Sequence, residues 1–236
     1  MTDTSPIVIV TGAAGNVGRA LLTTLAGRGD RIIAVDRQAS AMDDILKPFG
    51  GKDRHLVLAD LDLFDPAACD RAVQAGLARY GRIDGVAHTV GGFASAGASE
   101  GGPELWEQMY RLNVLTPLNM FRAPLTPMQA AGRGSLVAIG AGAAIKAPSG
   151  LSAYAAAKSA VHRLVESFAD EMKAVGVRVN AILPSIIDTP QNRAAMPDAD
   201  HKAWVQPREI ADAIAFLLAE DASGVTGAFI PVSGRV

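Results

Sequence analysis

One cysteine, Cys69, is all that the 236 residues contain. No intrachain disulfide is possible, which fits a reducing compartment. Cys69 falls in an expected helix, where a free thiol usually packs as a small apolar group. Histidine is scarce as well. The four are far apart and lack metal-ligand spacing, so no metal site is expected. An excess of one charge is also missing. The formal net charge is -2, and no run of like charges stands out. That excludes the clustered cations that nucleic acid binding requires. No apolar run approaches the roughly 20 residues that span a bilayer. The segment Met1–Pro6 is short and polar, without the basic-then-apolar pattern of a secretion signal. The expectations are a cytoplasmic location and a small-molecule partner. No repeat, low-complexity stretch or linker interrupts the chain. Its length suits one large domain over residues 1–236.

What is present is a regular alternation. Short apolar runs at Ile7–Val10, Arg31–Val35, His55–Ala59, Ile83–His88, Ser135–Gly140, Val177–Leu183 and Ala228–Val232 read as strands. Helical stretches begin near Asn16 and cover Pro66–Tyr80, about Glu104 to Ala130, Leu151–Val175 and Pro207–Ala219. Strands that are apolar throughout are buried on both faces, the mark of a parallel sheet covered by helices. The expected fold class is therefore α/β, a doubly wound parallel sheet with right-handed crossovers, or Rossmann fold. The longest irregular stretch, Ser185–Gln206, follows a strand's C-terminal end, where a substrate lid would sit.

Thr11-Gly12-Ala13-Ala14-Gly15-Asn16-Val17-Gly18 follows the first strand and opens a helix. Glycines at 12, 15 and 18 allow a tight turn and close backbone approach. The helix start, Asn16 and Val17, then offers free N–H groups to a pyrophosphate. A glycine triplet is weak evidence alone and stronger between the first strand and helix of a βαβ unit. The second strand ends in Asp36, where a carboxylate can accept from both hydroxyls of an adenosine ribose. It would repel a 2′-phosphate, so NAD is preferred. Arg37 follows and keeps NADP open.

Tyr154-Ala155-Ala156-Ala157-Lys158 lies on the helix after the fifth strand. The i, i+4 spacing puts both side chains on one face. A free tyrosine titrates near 10, and a neighbouring ammonium is expected to lower that toward the working range. The tyrosine would then donate a proton to a substrate atom.

With these motifs in order, the sequence resembles the short-chain dehydrogenase/reductase family over nearly its full length. The resemblance implies Tyr154 and Lys158 as the catalytic pair, with Lys158 also on the nicotinamide ribose. It implies Asn113 as holder of a proton-relay water. It implies Asp60 and Leu61 as adenine contacts, and Gly91 in a turn beside the cofactor. Pro184, Ile187 and Thr189 would flank the nicotinamide carboxamide. A homodimer or homotetramer is also implied, through the helical stretches Leu105–Met128 and Leu151–Val175, although Pro117, Pro124 and Pro127 would kink the first.

Two departures matter. The family's serine, thirteen residues before the tyrosine, is Ala141 here, and its Asn-Asn-Ala-Gly stretch is His88-Thr89-Val90-Gly91. His88 is expected to support the strand end rather than touch substrate. A narrower similarity, to quinonoid dihydropteridine reductases, runs through Gly140–Leu164 and through Asp188-Thr189-Pro190-Gln191-Asn192-Arg193 to Trp204. Those enzymes also lack the serine and use NADH. An activated acceptor needs less oxyanion stabilisation than a ketone. Phe93 would stack on a flat ring or simply pack in its loop. Trp204 would close the lid over substrate or anchor the lid to the core. The leading expectation is an NADH-dependent reductase of a flat, activated acceptor. The alternatives are a general carbonyl reductase or alcohol dehydrogenase, with Ser149 or Ser152 replacing the lost hydroxyl, and a non-catalytic dinucleotide sensor.

Overall fold

The structure is a computed structural model describing residues 4–236. The first half of the Met1–Pro6 reading, Met1–Asp3, therefore lies outside the described residues. Seven parallel strands form one sheet among them, in the order β3-β2-β1-β4-β5-β6-β7. The strands are β1 (Ile7–Thr11), β2 (Arg31–Asp36), β3 (Leu56–Ala59), β4 (Gly85–His88), β5 (Gly134–Ile139), β6 (Val177–Pro184) and β7 (Phe229–Val232). This is the doubly wound Rossmann arrangement that the apolar runs predict.

Side-chain alternation makes the two layers. Ile7 and Ile9 of β1 point into one core with Ile33 and Val35 of β2. Val8 and Val10 point into the other with Ile32 and Ala34. Every residue of β1 is buried, and each such aliphatic side chain contributes about 1.5–3 kcal/mol by leaving water. The helices α1 (Asn16–Arg28) and α10 (Pro207–Leu218) pack together on one face. On the other lie α4 (Pro66–Tyr80), α5 (Pro103–Tyr110), α6 (Thr116–Arg122) and α8 (Ser152–Met172). Cys69 sits in this second core and burial pushes its thiol up to about 12, so it packs rather than reacts.

Three regions differ from the sequence expectation. Between β2 and β3 stand two short helices, α2 (Ala39–Leu46) and α3 (Gly51–Arg54), that the apolar periodicity does not reveal. The expected helix from Glu104 to Ala130 is broken. After α5 comes a π-helical turn at Arg111–Leu115, then α6, then α7 (Leu125–Ala131) capped by Pro124. Proline lacks the N–H that would continue the helix. The segment after β6 is not irregular throughout. It carries α9 (Pro190–Ala195) and a 3₁₀ turn at His201–Ala203.

Candidate active site

The order of strands reverses between β1 and β4, and ligands of such sheets bind at the C-terminal ends of the strands there. The glycine loop occupies that place. Gly12 has φ +68, and a Cβ on it would stand 2.8 Å from Thr89 Oγ1 and 2.9 Å from Val90 N. Thr89 in turn donates its hydroxyl to Thr11 O at 2.8 Å. Gly18 packs on the loop itself, where a Cβ would lie 2.1 Å from Gly12 O. Gly15 caps α1 without a side chain. The first-turn amides at Asn16 and Val17 are thus left for an anion.

A cavity of about 300 Å³ opens beside this loop, lined by Gly12, Gly15, Asp36, Arg37, Leu61 and Gly91 among others. The Asp36 carboxylate accepts from Ala14 N at 2.9 Å and from Arg37 N at 2.6 Å. It is fixed at the cavity wall, with the exposed Arg37 next to it. Asp60 is not brought there. It takes φ 58, the only positive value outside glycine among the described residues, and points its successors inward. Asp62 and Leu63 line the cavity with Leu61 instead. A larger cavity, about 480 Å³, lies at the opposite end of the sheet. Its cations are committed, Arg82 and Arg133 to Asp84 and Arg178 to backbone carbonyls.

The expected catalytic residues meet at the same end of the sheet. Lys158 is buried and donates to Ile139 O, at the end of β5, at 2.7 Å. Asn113, in the π-helical turn, donates to Gly92 O at 3.1 Å and Met109 O at 3.0 Å and accepts from Gly92 N at 3.2 Å. Such turns recur at functional sites. Gly91 lies between the two: a Cβ there would be 3.0 Å from Asn113 Oδ1 and 3.5 Å from Lys158 Nζ. Phe93 sets its ring edge-on to Tyr154, with centroids 5.1 Å apart and planes at 67°. The same phenylalanine is 63% exposed.

The electrostatics correct one expectation. Burial pushes the Tyr154 phenol up to about 12 rather than down. Lys158 does not reverse this, because its Nζ stands 5.9 Å from the Tyr154 ring centroid and is spent on Ile139 O. Burial pushes the Lys158 ammonium down to about 8. That has a consequence for stability. Between pH 8 and 10 the unfolded chain, with a free lysine near 10.4, binds the extra proton. Stability from this residue therefore rises with pH, by on the order of 2–3 kcal/mol across that window. Tyr154 opposes it only above about pH 10. Urea melts at pH 8 and pH 10 are expected to show wild type gaining on Lys158→Met, and parallel stabilities would contradict this burial.

His88 is buried and pushed down to about 3 by burial and then by Lys158, so it is neutral. Its Nδ1 lies 2.9 Å from Thr11 Oγ1 and its Nε2 3.1 Å from Thr116 Oγ1. Thr116 gives its own hydroxyl proton to Leu112 O, so His88 donates from Nε2 and accepts at Nδ1. It ties β1 to α6, as a strand support would.

Ala141, buried, follows β5, and the 3₁₀ turn Gly142–Ala144 after it is tied to α8 by Ser159 Oγ donating to Ala144 O. Ser149 and Ser152 are both exposed. Pro184 ends β6, Ile187 bridges to Val205, and Thr189 caps α9 by accepting from Asn192 N. Trp204 is buried against the His201 ring, 4.4 Å between centroids, in the anchoring position.

The family model for short chain dehydrogenases matches residues 6–200. The chain belongs to that family. The enzyme is accordingly an oxidoreductase of the nicotinamide-dependent type. It is 31% identical to 2-(R)-hydroxypropyl-CoM dehydrogenase of Xanthobacter autotrophicus, over 98% of each chain. It is 27% identical to the 3-oxoacyl-[acyl-carrier-protein] reductase of Escherichia coli, over 97% of this chain and 96% of that one. Among solved structures, carveol dehydrogenase from Mycobacterium avium in complex with NAD superposes with a TM-score of 0.88 at 25% identity, covering 99% of this chain and 98% of the other. Levodione reductase does so at 0.88 and 26%, covering 97% and 96%. These relatives support the family and not the pteridine branch.

Several residues at the site escape sequence reasoning. Asp62 and Leu63 do so because Asp-Leu occurs twice in succession at residues 60–63. Thr89 and Thr116 carry no motif; only their place beside Gly12 and His88 marks them.

Proposed function

We propose that this enzyme is an NADH-dependent reductase acting on a flat, activated acceptor such as a quinonoid dihydropterin, with Tyr154 as proton donor. The cofactor reading rests on a fit between residues and ligand. The unpaired amides of α1 and the glycine cradle suit a pyrophosphate. The carboxylate of Asp36 at the cavity wall suits two ribose hydroxyls and opposes a 2′-phosphate. Bound there, NADH supplies the hydride. Gly91 gives the backbone room beside Lys158, whose ammonium would hold the nicotinamide ribose. Pro184, Ile187 and Thr189 would flank the carboxamide.

The observation that carries the substrate class is Phe93 held edge-on to Tyr154 while mostly exposed. Its free face offers a stacking surface for a planar ring next to the phenol. Two further observations support it. Tyr154, held protonated by burial, is a donor throughout the neutral range, which suits reduction. Ala141 offers no hydroxyl to a developing alkoxide, so an acceptor that already draws electrons is better matched. As the ring takes up hydride, the Tyr154 O–H proton passes to the ring nitrogen that gains electron density. Asn113 orders the turn and would hold a relay water that returns a proton from solvent. A redox sensor without chemistry has no need of that relay.

The names of the relatives favour a second reading, a ketone or secondary alcohol as substrate. Ala141→Ser separates the two. On the proposed reading the wild type is poor with ketones, and restoring the hydroxyl raises ketone kcat/KM by about 10²-fold, the weight of one oxyanion donor. An efficient wild-type ketone reductase that gains nothing from the serine would favour the second. The enzyme is further expected to work in the cytoplasm as a homodimer or homotetramer. Trp106 and Tyr110, both exposed one turn apart on α5, suit an interface with the same helices of a second copy.

A further inference from the structure

One carboxylate gathers several contacts of the segment after β6. Asp188 accepts from Arg193 through both Nε and Nη2, the latter at 2.7 Å, and from Gln206 Nε2 at 2.9 Å. Its backbone N–H donates to Val205 O at 2.8 Å. Its side chain is only 9% exposed. The pair is bidentate and only its arginine faces solvent, a geometry worth more than a single-contact surface pair. The hydrogen bonds from Arg193 and Gln206 hold the carboxyl well below the usual carboxylate range. Both oxygens bind partners within the segment, so Asp188 organises its neighbours.

Those neighbours are the two ends of the dinucleotide site. Asp188 stands between Ile187 and Thr189, the residues that would flank the carboxamide. Asn192 of α9 donates its side-chain amide to Ile187 O at 2.8 Å and its backbone amide to Thr189 Oγ1 at 3.1 Å. Arg193 lies on the same short helix, so the ion pair fixes how α9 is turned. So turned, α9 carries Gln191 onto the phosphate loop, where Asn16 Nδ2 donates to Gln191 Oε1 at 3.1 Å. The far end of the segment is fastened separately, by Arg235 N donating to Ala203 O at 2.9 Å.

We propose that Asp188 is a positioning residue that couples the nicotinamide contacts to the phosphate loop, through Arg193 and α9, and so holds the segment as a lid closed over the dinucleotide by the Asn16–Gln191 bond. This rests on the NADH reading above. Neither Asp188 nor Gln191 touches the reacting atoms; their work is retention of the cofactor.

The test measures NADH binding to the full chain by fluorescence titration and its release by stopped flow. Wild type, Asp188→Asn, Gln191→Leu and the double variant are compared, with thermal melts alongside. Asp188→Asn is expected to raise both Kd and release rate by about tenfold, the scale of a lost charge-assisted network. Gln191→Leu, exposed and harmless to folding, is expected to speed release severalfold. In the double variant the second change adds little, because Asp188 acts on Asn16 through Gln191. That non-additivity is the readout a merely structural aspartate would not give. If Asp188→Asn fails to fold, Arg193→Gln, at a half-exposed position, takes its place in the cycle. Release rates within twofold of wild type, or effects of the two changes that simply multiply, overturn the proposal. A wild type that binds no NADH overturns the cofactor reading itself, a distinguishable outcome.

Discussion

Tyr154→Phe is expected to lose reductase turnover by roughly 10³-fold while binding NADH as tightly as wild type. The substitution removes one oxygen and keeps the ring that meets Phe93 at 5.1 Å. Packing and the cofactor cradle are therefore undisturbed. What disappears is a proton held ready by burial, since the phenol is pushed up to about 12. Without it, an acceptor nitrogen must take its proton from water while hydride arrives. Lys158 is a poor substitute. Its ammonium is bound to Ile139 O and stands over the Tyr154 ring, 5.9 Å from the centroid. Single-turnover rates with NADH preloaded separate the chemical step from binding. A variant that turns over within tenfold of wild type would remove Tyr154 from the mechanism. Weakened NADH binding with a normal chemical step would make the residue a cofactor contact only.

Gly18→Ala is expected to damage both the fold and the cofactor site. The new Cβ would stand 2.1 Å from Gly12 O and 2.7 Å from Ala13 Cα, both backbone atoms of the loop that α1 packs against. Neither can swing aside like a flexible side-chain tip. Either α1 moves away from the loop or the loop deforms. Overpacking of this kind costs on the order of 1–3 kcal/mol in stability. The loss in NADH affinity follows from geometry, because the amides at Asn16 and Val17 move with the helix. Thermal melts and NADH titration of the same sample check both parts. Wild-type affinity in a stably folded Gly18→Ala protein would mean that the loop does not hold the pyrophosphate.

These expectations rest on features that differ in how openly the sequence displays them. The sheet is plainly written. Ile7–Val10 and Ile32–Val35 are apolar at every position, and only a layer covered on both faces explains that. The glycine loop and the Tyr154–Lys158 pair are legible because they depend on local spacing. The breaks in the helical region after Pro103 are half legible. Pro117, Pro124 and Pro127 announce trouble, but the π-helical turn that presents Asn113 comes from a backbone bonding pattern with no residue signature. The helices at Ala39–Leu46 and Gly51–Arg54 are short and carry no long apolar stripe, so propensity could not find them. The slip from Asp62 to Asp60 has a simpler origin. Asp-Leu is repeated, and the left-handed turn at Asp60 decides which copy faces the cavity.

The titration of Tyr154 could not be read at all. Spacing places an ammonium one turn away, which argues for a lowered value. The fold buries the phenol and engages Lys158 elsewhere, and burial prevails. That reversal strengthens the case for reduction, since a phenol that keeps its proton is a donor.

The most direct test of this account is the rate of NADH oxidation by the wild-type enzyme with chemically generated quinonoid dihydropterin, set beside a panel of plain ketones under the same conditions. The expected result is rapid turnover of the quinonoid ring, with kcat/KM about 10²-fold or more above that of the ketones, the margin set by the missing oxyanion donor at Ala141. Efficient reduction of a plain ketone, with no turnover of the quinonoid ring by a protein that binds NADH well, would contradict it.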